Sequence, residues 1–184
     1  MKRIIFTIMA ILVCSAGLTA QTPGVAFADK PVILTSVGQS ADIEMVRVLL
    51  QRARIEFATE QMIRADDLRA EDRTLIVVLG GSSKGLGAAG ISIDGEMRRA
   101  EALVRRAREL NMSIIAVHVG GEPRRGALSD GLINFMVPLA DYVIVVASGD
   151  NDGLFTNLTR TANIPLTRVN RIADAGAPLT AAFR

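Results

Sequence analysis

Three uninterrupted apolar runs constrain this chain most: "TLIVVLG" (74–80), "SIIAVHVG" (113–120) and "DYVIVVASG" (141–149). Each is rich in β-branched residues, lacks the polar alternation of a half-exposed strand, and reaches a glycine at or just past its end. Strands read this way when both of their faces are buried, as in a parallel sheet covered by helices. The segments between them carry helical spacing. Over 94–111, Met97, Ala100, Leu103, Val104, Ala107 and Leu110 form one stripe, with Arg98, Arg99, Arg105, Arg106 and Arg108 mostly outside it. Glu101 four residues before Arg105 is the favourable order for an ion pair, so this face reads as solvated.

The remaining elements follow the same logic. "PVILTS" (31–36) predicts a first strand. Residues 41–54 predict a helix with Ile43, Val46, Leu49, Leu50 and Ala53 inward and Ser40 as its cap. A weakly alternating 55–62 predicts a short edge strand, and 65–72 one helical turn and a loop. Helices are expected over 129–140, 152–163 and 172–183, with a last strand in "IPLTRVN" (164–170). Strands alternating with helices predict a three-layer α/β fold of five to six mostly parallel strands. The topology is flavodoxin-like or Rossmann-like, in the order 2-1-3-4-5, with the last strand at an edge.

The first residues predict a secretory signal. Lys2 and Arg3 precede an apolar run from Ile4 to Ala20, then polar "QTPG", then Ala26-Phe27-Ala28. The expected cut follows Ala28, giving a leader of 1–28 and a single domain of 29–184, periplasmic or extracellular. The apolar run is barely long enough to span a bilayer, so no stable membrane insertion is expected after cleavage. Lipidation of Cys14 is the alternative processing, with Val13 a poor residue ahead of it. Cys14 is the only cysteine in the chain, so the mature domain holds no disulfide and no thiol chemistry. Loss of Lys2 and Arg3 balances the 21 basic residues against the 19 acidic ones. With that neutrality and few aromatics, a nucleic-acid partner is not expected.

The stretch "VVLGGSSKGLGAAGISIDGE" (77–96) matches three well-known patterns. Gly85-Leu86-Gly87-Ala88-Ala89-Gly90 fits a dinucleotide fingerprint, but it lies six residues past the expected strand end and the next helix is expected only near Asp94. "GGSSKGLG" resembles the cofactor loop of short-chain dehydrogenases, whose Tyr-x-x-x-Lys pair is missing: Val146 stands four residues after the only tyrosine, Tyr142. No cofactor is expected. Gly81-Ser82-Ser83-Lys84-Gly85 fits a nucleophile elbow, which requires a helix to begin at once. A hydrolase would pair Ser83 with His118, the single histidine, oriented by Asp150 or Asp130. No metal site is expected. The loop "GDNDG" (149–153) has part of a calcium pattern without its terminal glutamate, and reads more simply as a turn capping a helix.

In doubly wound sheets, ligands bind beyond the carboxyl ends of the strands, at the switch point. The residues expected there are Ser36, Gln39, Ser40, Asp42, Gly81, Ser82, Ser83, Lys84, His118, Glu122, Arg124 and Arg125. Glycine-dense loops that expose backbone N–H groups, with nearby cations, suit a carboxylate or phosphate.

"LTSVGQSAD", "VVLGGSSKGLGAAG", "HVGGEPRRGALSD" and "ASGDNDG" together resemble a family of small exported bacterial proteins catalogued only as a domain of unknown function. The resemblance spans nearly all of 29–184 and implies a single exported α/β domain. It implies no activity. Three readings stand: a module binding a small solute and working with a membrane-protein partner, a serine hydrolase of small esters or amides, and a structural partner in the envelope.

Overall fold

The computed structural model describes residues 25–184. The charged start, the apolar run and Cys14 lie outside these residues. Six strands form one sheet: β1 (Val32–Val37), β2 (Phe57–Thr59), β3 (Thr74–Leu79), β4 (Ser113–His118), β5 (Tyr142–Val146) and β6 (Leu166–Val169). The order is β2-β1-β3-β4-β5-β6 and every pairing is parallel. The expected α/β architecture and strand order are thus observed. The edges are the two segments with the weakest apolar character, because an edge strand has only one neighbour to satisfy.

Six helices cover the faces: α1 (Ile43–Arg52), α2 (Ser83–Ala88), α3 (Ile93–Glu109), α4 (Ala127–Met136), α5 (Leu154–Ala162) and α6 (Gly176–Ala181). Odd and even strand positions feed two separate cores. Val32, Leu34, Ile76, Val78, Ile115, Val117, Tyr142 and Ile144 pack with Val46 and Leu50 of α1 and Leu179 of α6. Ile33, Val37, Leu75, Val77, Ile114, Ala116, Val143 and Val145 pack under α3, α4 and Phe155 of α5. The order of strand addition reverses at β1, which β2 and β3 flank on either side. The carboxyl ends of β1 and β3 therefore open a crevice there.

Two local expectations need correction. Residues 83–88 form a helix where a loop was expected. Two of its six residues are glycines, which weaken helical propensity. It forms because Ser82 caps it, accepting the Gly85 N–H at 3.0 Å, and because Leu86 is buried. Asp42 stands directly before α1 with helical dihedrals and no side-chain cap bond, and Ser40, the expected cap, accepts the Asp42 N–H at 3.1 Å. The packed chain also begins ahead of Asp29. Ala28 is fully buried and bridges Phe183 in parallel.

One polar contact ties the β6 edge to the core. The hydroxyls of Tyr142 and Thr167 hydrogen-bond at 2.5 Å, both buried. Thr167→Val strands the phenol and should cost about 1–3 kcal/mol. The Tyr142→Phe and Thr167→Val double variant should recover part of that in denaturant unfolding. Strict additivity in the double-mutant cycle would mean that the bond contributes nothing.

Candidate functional site

The crevice is built by knitting one turn onto another. Val37 ends β1, and the next residues fold over the end of β3. The Gly80 N–H donates to Val37 O at 3.1 Å and the Ser82 N–H to Gly38 O at 2.8 Å. Gln39 and Gly81 form an antiparallel bridge. Gln39 holds this position at φ 57°, a left-handed conformation uncommon for a side-chain-bearing residue.

A buried ion pair on α3 holds that turn from behind. Glu96 is fully buried and accepts the Gly38 N–H at 2.8 Å and the Gln39 Nε2–H at 2.9 Å. Arg99, only 7 % exposed along its side chain, donates to Glu96, to Ser36 O at 2.5 Å and to Ile63 O at 2.9 Å. Burial pushes the Glu96 carboxyl up most strongly. Arg99, the Gly38 N–H and Gln39 together outweigh that, holding it below the ordinary value. Arg99 was expected on the solvated face and Glu96 was not foreseen as buried. Their i,i+3 spacing is the same as that of exposed pairs, so the sequence carries no distinguishing signal.

Two of the glycines in 80–87 are there for close approach. A Cβ on Gly85 would overlap the Gln39 carbonyl, and one on Gly81 would overlap Leu128 of α4. The Gly81 N–H instead donates to Ser129 Oγ at 2.8 Å.

Arg125 clasps two loops together. It donates to Asp130, to both carboxylate oxygens of Asp152 and to the Gly149 carbonyl, and lies 5.9 Å from the centre of the Phe155 ring. These bonds hold the Asp152 carboxyl down to about 2, lower that of Asp130 and raise that of the guanidinium itself. Arg125 is therefore committed to protein partners. Asp150 is committed too: it accepts the Phe155 N–H at 2.8 Å and the Thr156 N–H at 3.2 Å, and pairs with Arg168 at 3.4 Å. The "GDNDG" carboxylates thus serve as helix cap and clasp.

What remains open is a cleft of about 240 Å³ lined by Gly81, Ser83, Arg124, Leu128 and Ser129 among others. The first turn of α4 forms one wall. No side chain caps this helix, whose N-cap is Gly126, so its first N–H groups lack intrahelical partners. The sequence placed this helix start at Ser129, two residues late, which hid the wall. The readable signal was Gly126 ahead of the apolar run, with Asp130 in the first turn. Arg124 pairs through Nε with Asp42 at 3.4 Å and is 40 % exposed. Asp42 Oδ2 and Ser36 Oγ are buried without partners.

The twelve expected ligand residues thus separate. Ser83 and Arg124 line the cleft with Gly81. Lys84 is exposed on α2, Glu122 is exposed in the turn before Arg124, and Asp42 sits behind Arg124. Ser36, Gln39, Ser40 and His118 are buried, Ser82 caps α2, and Arg125 is the clasp. The hydrolase constellation is not brought together. Ser83 is exposed. His118 is fully buried, with Nδ1 2.9 Å from Leu79 O and Nε2 3.2 Å from Gly121 O. The bonds of Asp150 all go elsewhere. The elbow's early helix is present after all, but its base is not.

Burial pushes the His118 imidazole below its ordinary 6.5, against smaller opposite effects from the two carbonyls and Asp42. The unfolded chain therefore takes up a proton near 6.5 before the folded one does. That stability is present above pH 6.5 and lost as pH falls below it. Glu96 is likewise lowered, from 4.5, and adds a second loss as pH falls under that value. Thermal melts should show both declines, and His118→Gln should lose only the first. A wild-type Tm unchanged from pH 7 to 5 would contradict the assignment. Arg99→Ala should cost about 3–5 kcal/mol by stranding Glu96, while the exposed Arg98→Ala should change stability by less than about 0.5 kcal/mol. Equal effects in denaturant titrations would remove the special role of Arg99.

Comparison with known proteins adds a family and no activity. No curated protein matches the chain. Among solved structures, similar folds include one described as a lipolytic protein of the G-D-S-L family from Desulfitobacterium hafniense DCB-2. It is 12 % identical, with 84 % of this chain and 96 % of that one covered and a TM-score of 0.37. A truncated 3-deoxy-D-arabino-heptulosonate 7-phosphate synthase from Thermotoga maritima is 10 % identical, with 86 % and 50 % covered and a TM-score of 0.35. A GDSL-like lipase from Bacteroides thetaiotaomicron VPI-5482 is 9 % identical, with 74 % and 66 % covered and a TM-score of 0.33. Superpositions this loose carry no argument about chemistry. The family model for a domain of unknown function, DUF6305, matches residues 29–183, and the chain belongs to that family.

Proposed function

We propose that this protein is an exported module that binds a small anionic solute, a carboxylate or a phosphate, and hands it to or reports it to a membrane-protein partner. One observation carries the reading: the uncapped N-terminus of α4 opens into a cleft that also holds Ser83 and Arg124. Helix N-termini favour negative charge through their free N–H groups and the aligned peptide dipoles. Arg124 adds a guanidinium already half-neutralised by Asp42, and Ser83 adds a hydroxyl. A cleft of about 240 Å³ lies below the usual range for drug-sized ligands, roughly 300–1,000 Å³. It therefore suits a compact anion better than a nucleotide or a long-chain ester. Export rests on the order of charged, apolar and small residues at the start of the sequence.

The reading is tested by thermal unfolding with inorganic phosphate, acetate and succinate, each against chloride at equal ionic strength. Saturating ligand at a hundred times its Kd stabilises by about 2.7 kcal/mol, which is roughly 5–10 °C for a domain of this size. Arg124→Ala should weaken binding about tenfold or more, the loss of one charge-assisted hydrogen bond. A Tm indifferent to all three anions would overturn the proposal. A serine-directed fluorophosphonate probe should leave Ser83 unlabelled. Labelling that vanishes in Ser83→Ala would restore the hydrolase reading instead.

A further inference from the structure

We infer that the leader is cut at the Ala20–Gln21 bond, upstream of Phe27 and not after Ala28, so that Phe27 and Ala28 remain in the mature protein as a strap across its C-terminus. This rests on the proposal that the chain is exported with its leader removed.

The observation is how thoroughly those two residues belong to the domain. Ala28 is fully buried in the core that α1 and α6 cover. The N–H groups of Phe27 and Ala28 both donate to Ala182 O, at 3.0 and 2.8 Å, and Ala28 O accepts the Arg184 N–H at 3.0 Å. The Arg184 guanidinium reaches back to Phe27 O at 3.1 Å and to the Asp29 carboxylate at 2.9 Å. The Phe27 ring meets Tyr142 edge to face, with centroids 6.2 Å apart. Tyr142 is itself fully buried, so Phe27 covers the core beside β5.

A cut after Ala28 would discard all of this. It would strip the partners from Ala182 O and the Arg184 N–H, uncover Tyr142 and place a new ammonium at Asp29. Leader residues are discarded and have no reason to complete a core. The A-x-A pattern at 26–28 has a different cause: small residues flank an aromatic that turns inward. Val25, 79 % exposed, marks where the chain meets solvent, so a junction upstream leaves the fold intact. There the apolar run ends at Ala20, a small residue followed at once by polar Gln21-Thr22-Pro23-Gly24; this gives the apolar-to-polar order of a leader junction, with Leu18 in place of the first small residue of an A-x-A site.

The test is to express the full chain with its own leader in a bacterial host, recover the exported fraction, and read its start by intact mass and N-terminal sequencing. A mature protein beginning at Gln21, as glutamine or its cyclised form, is expected. A start at Asp29 overturns the inference while leaving export standing. An uncleaved chain overturns both, so the two failures are distinguishable. Chains beginning at Gln21 and at Asp29 are then compared by thermal unfolding. The shorter form should melt lower by roughly 5–10 °C or fail to fold. Equal melting temperatures would show that the strap is dispensable and sink the argument.

Discussion

The Glu96–Arg99 pair is the interaction on which the crevice depends. A carboxylate and a guanidinium are costly to bury unless their hydrogen-bonding capacity is nearly filled. Here it is filled by the end of β1 and the turn that follows it: the Ser36 carbonyl, the Gly38 N–H and the Gln39 side chain. The dependence runs both ways. The turn cannot relax without stranding two charges, and the pair could not be buried without the turn. Gln39 can then stay in its left-handed conformation, a strain of order 1–3 kcal/mol that persists only where surrounding contacts over-determine it. Because Gln39 bridges Gly81, α3 indirectly fixes where β3 hands the chain to α2, and so where Ser83 emerges.

The other side of the cleft is fixed by a second charged device of opposite design. Arg125 sits at the surface end of the core, held by two carboxylates and a carbonyl over the Phe155 ring. It joins the loop after β4 to the loop after β5. Two of the cations expected at the ligand edge therefore have different fates, although they are adjacent in sequence. Arg125 shapes the wall, and Arg124 faces the space. The acids follow the same division, with Asp130 and Asp152 spent on the clasp and Asp42 behind Arg124. The charges around the cleft are thus nearly balanced, with Arg124 against Asp42 and Arg125 against Asp130 and Asp152.

The sheet was legible because doubly buried strands leave an unmistakable record. Unbroken runs of Val, Ile and Leu such as Leu75–Leu79 have few other uses in a chain of this size, and their order with the helices leaves few topologies. The short helix α2 was not legible, because two glycines in six residues argue against helix by propensity. Its cap and a single buried leucine decide the matter in three dimensions. The inward turn of Glu96 and Arg99 was hidden for a related reason. An i,i+3 acid–base pair looks the same whether its helix faces water or a neighbouring turn. Topology directs attention to the ends of β1 and β3, but four of the twelve residues expected there, Ser36, Gln39, Ser40 and His118, are buried. Strand-end residues such as Ser36 and His118 belong to the buried end of the sheet as often as to the mouth of a site.

His118 shows why position at the ligand edge does not confer chemistry. A general base needs a lone pair aimed at the proton it will take. Both nitrogens of His118 face backbone carbonyls. A neutral imidazole carries one N–H, so only one of these contacts is a donated hydrogen bond at any time and the other nitrogen opposes an oxygen. The ring is held there by packing: Phe155 lies against it with centroids 5.2 Å apart, and Gly149 leaves no room for a side chain beside it. To reach Ser83 the ring would have to leave that slot, giving up the Leu79 bond and the Phe155 contact together. The slot therefore makes His118 a brace between the ends of β3 and β4 and the loop after β5, with both of its nitrogens turned to backbone carbonyls and not to the exposed Ser83 hydroxyl.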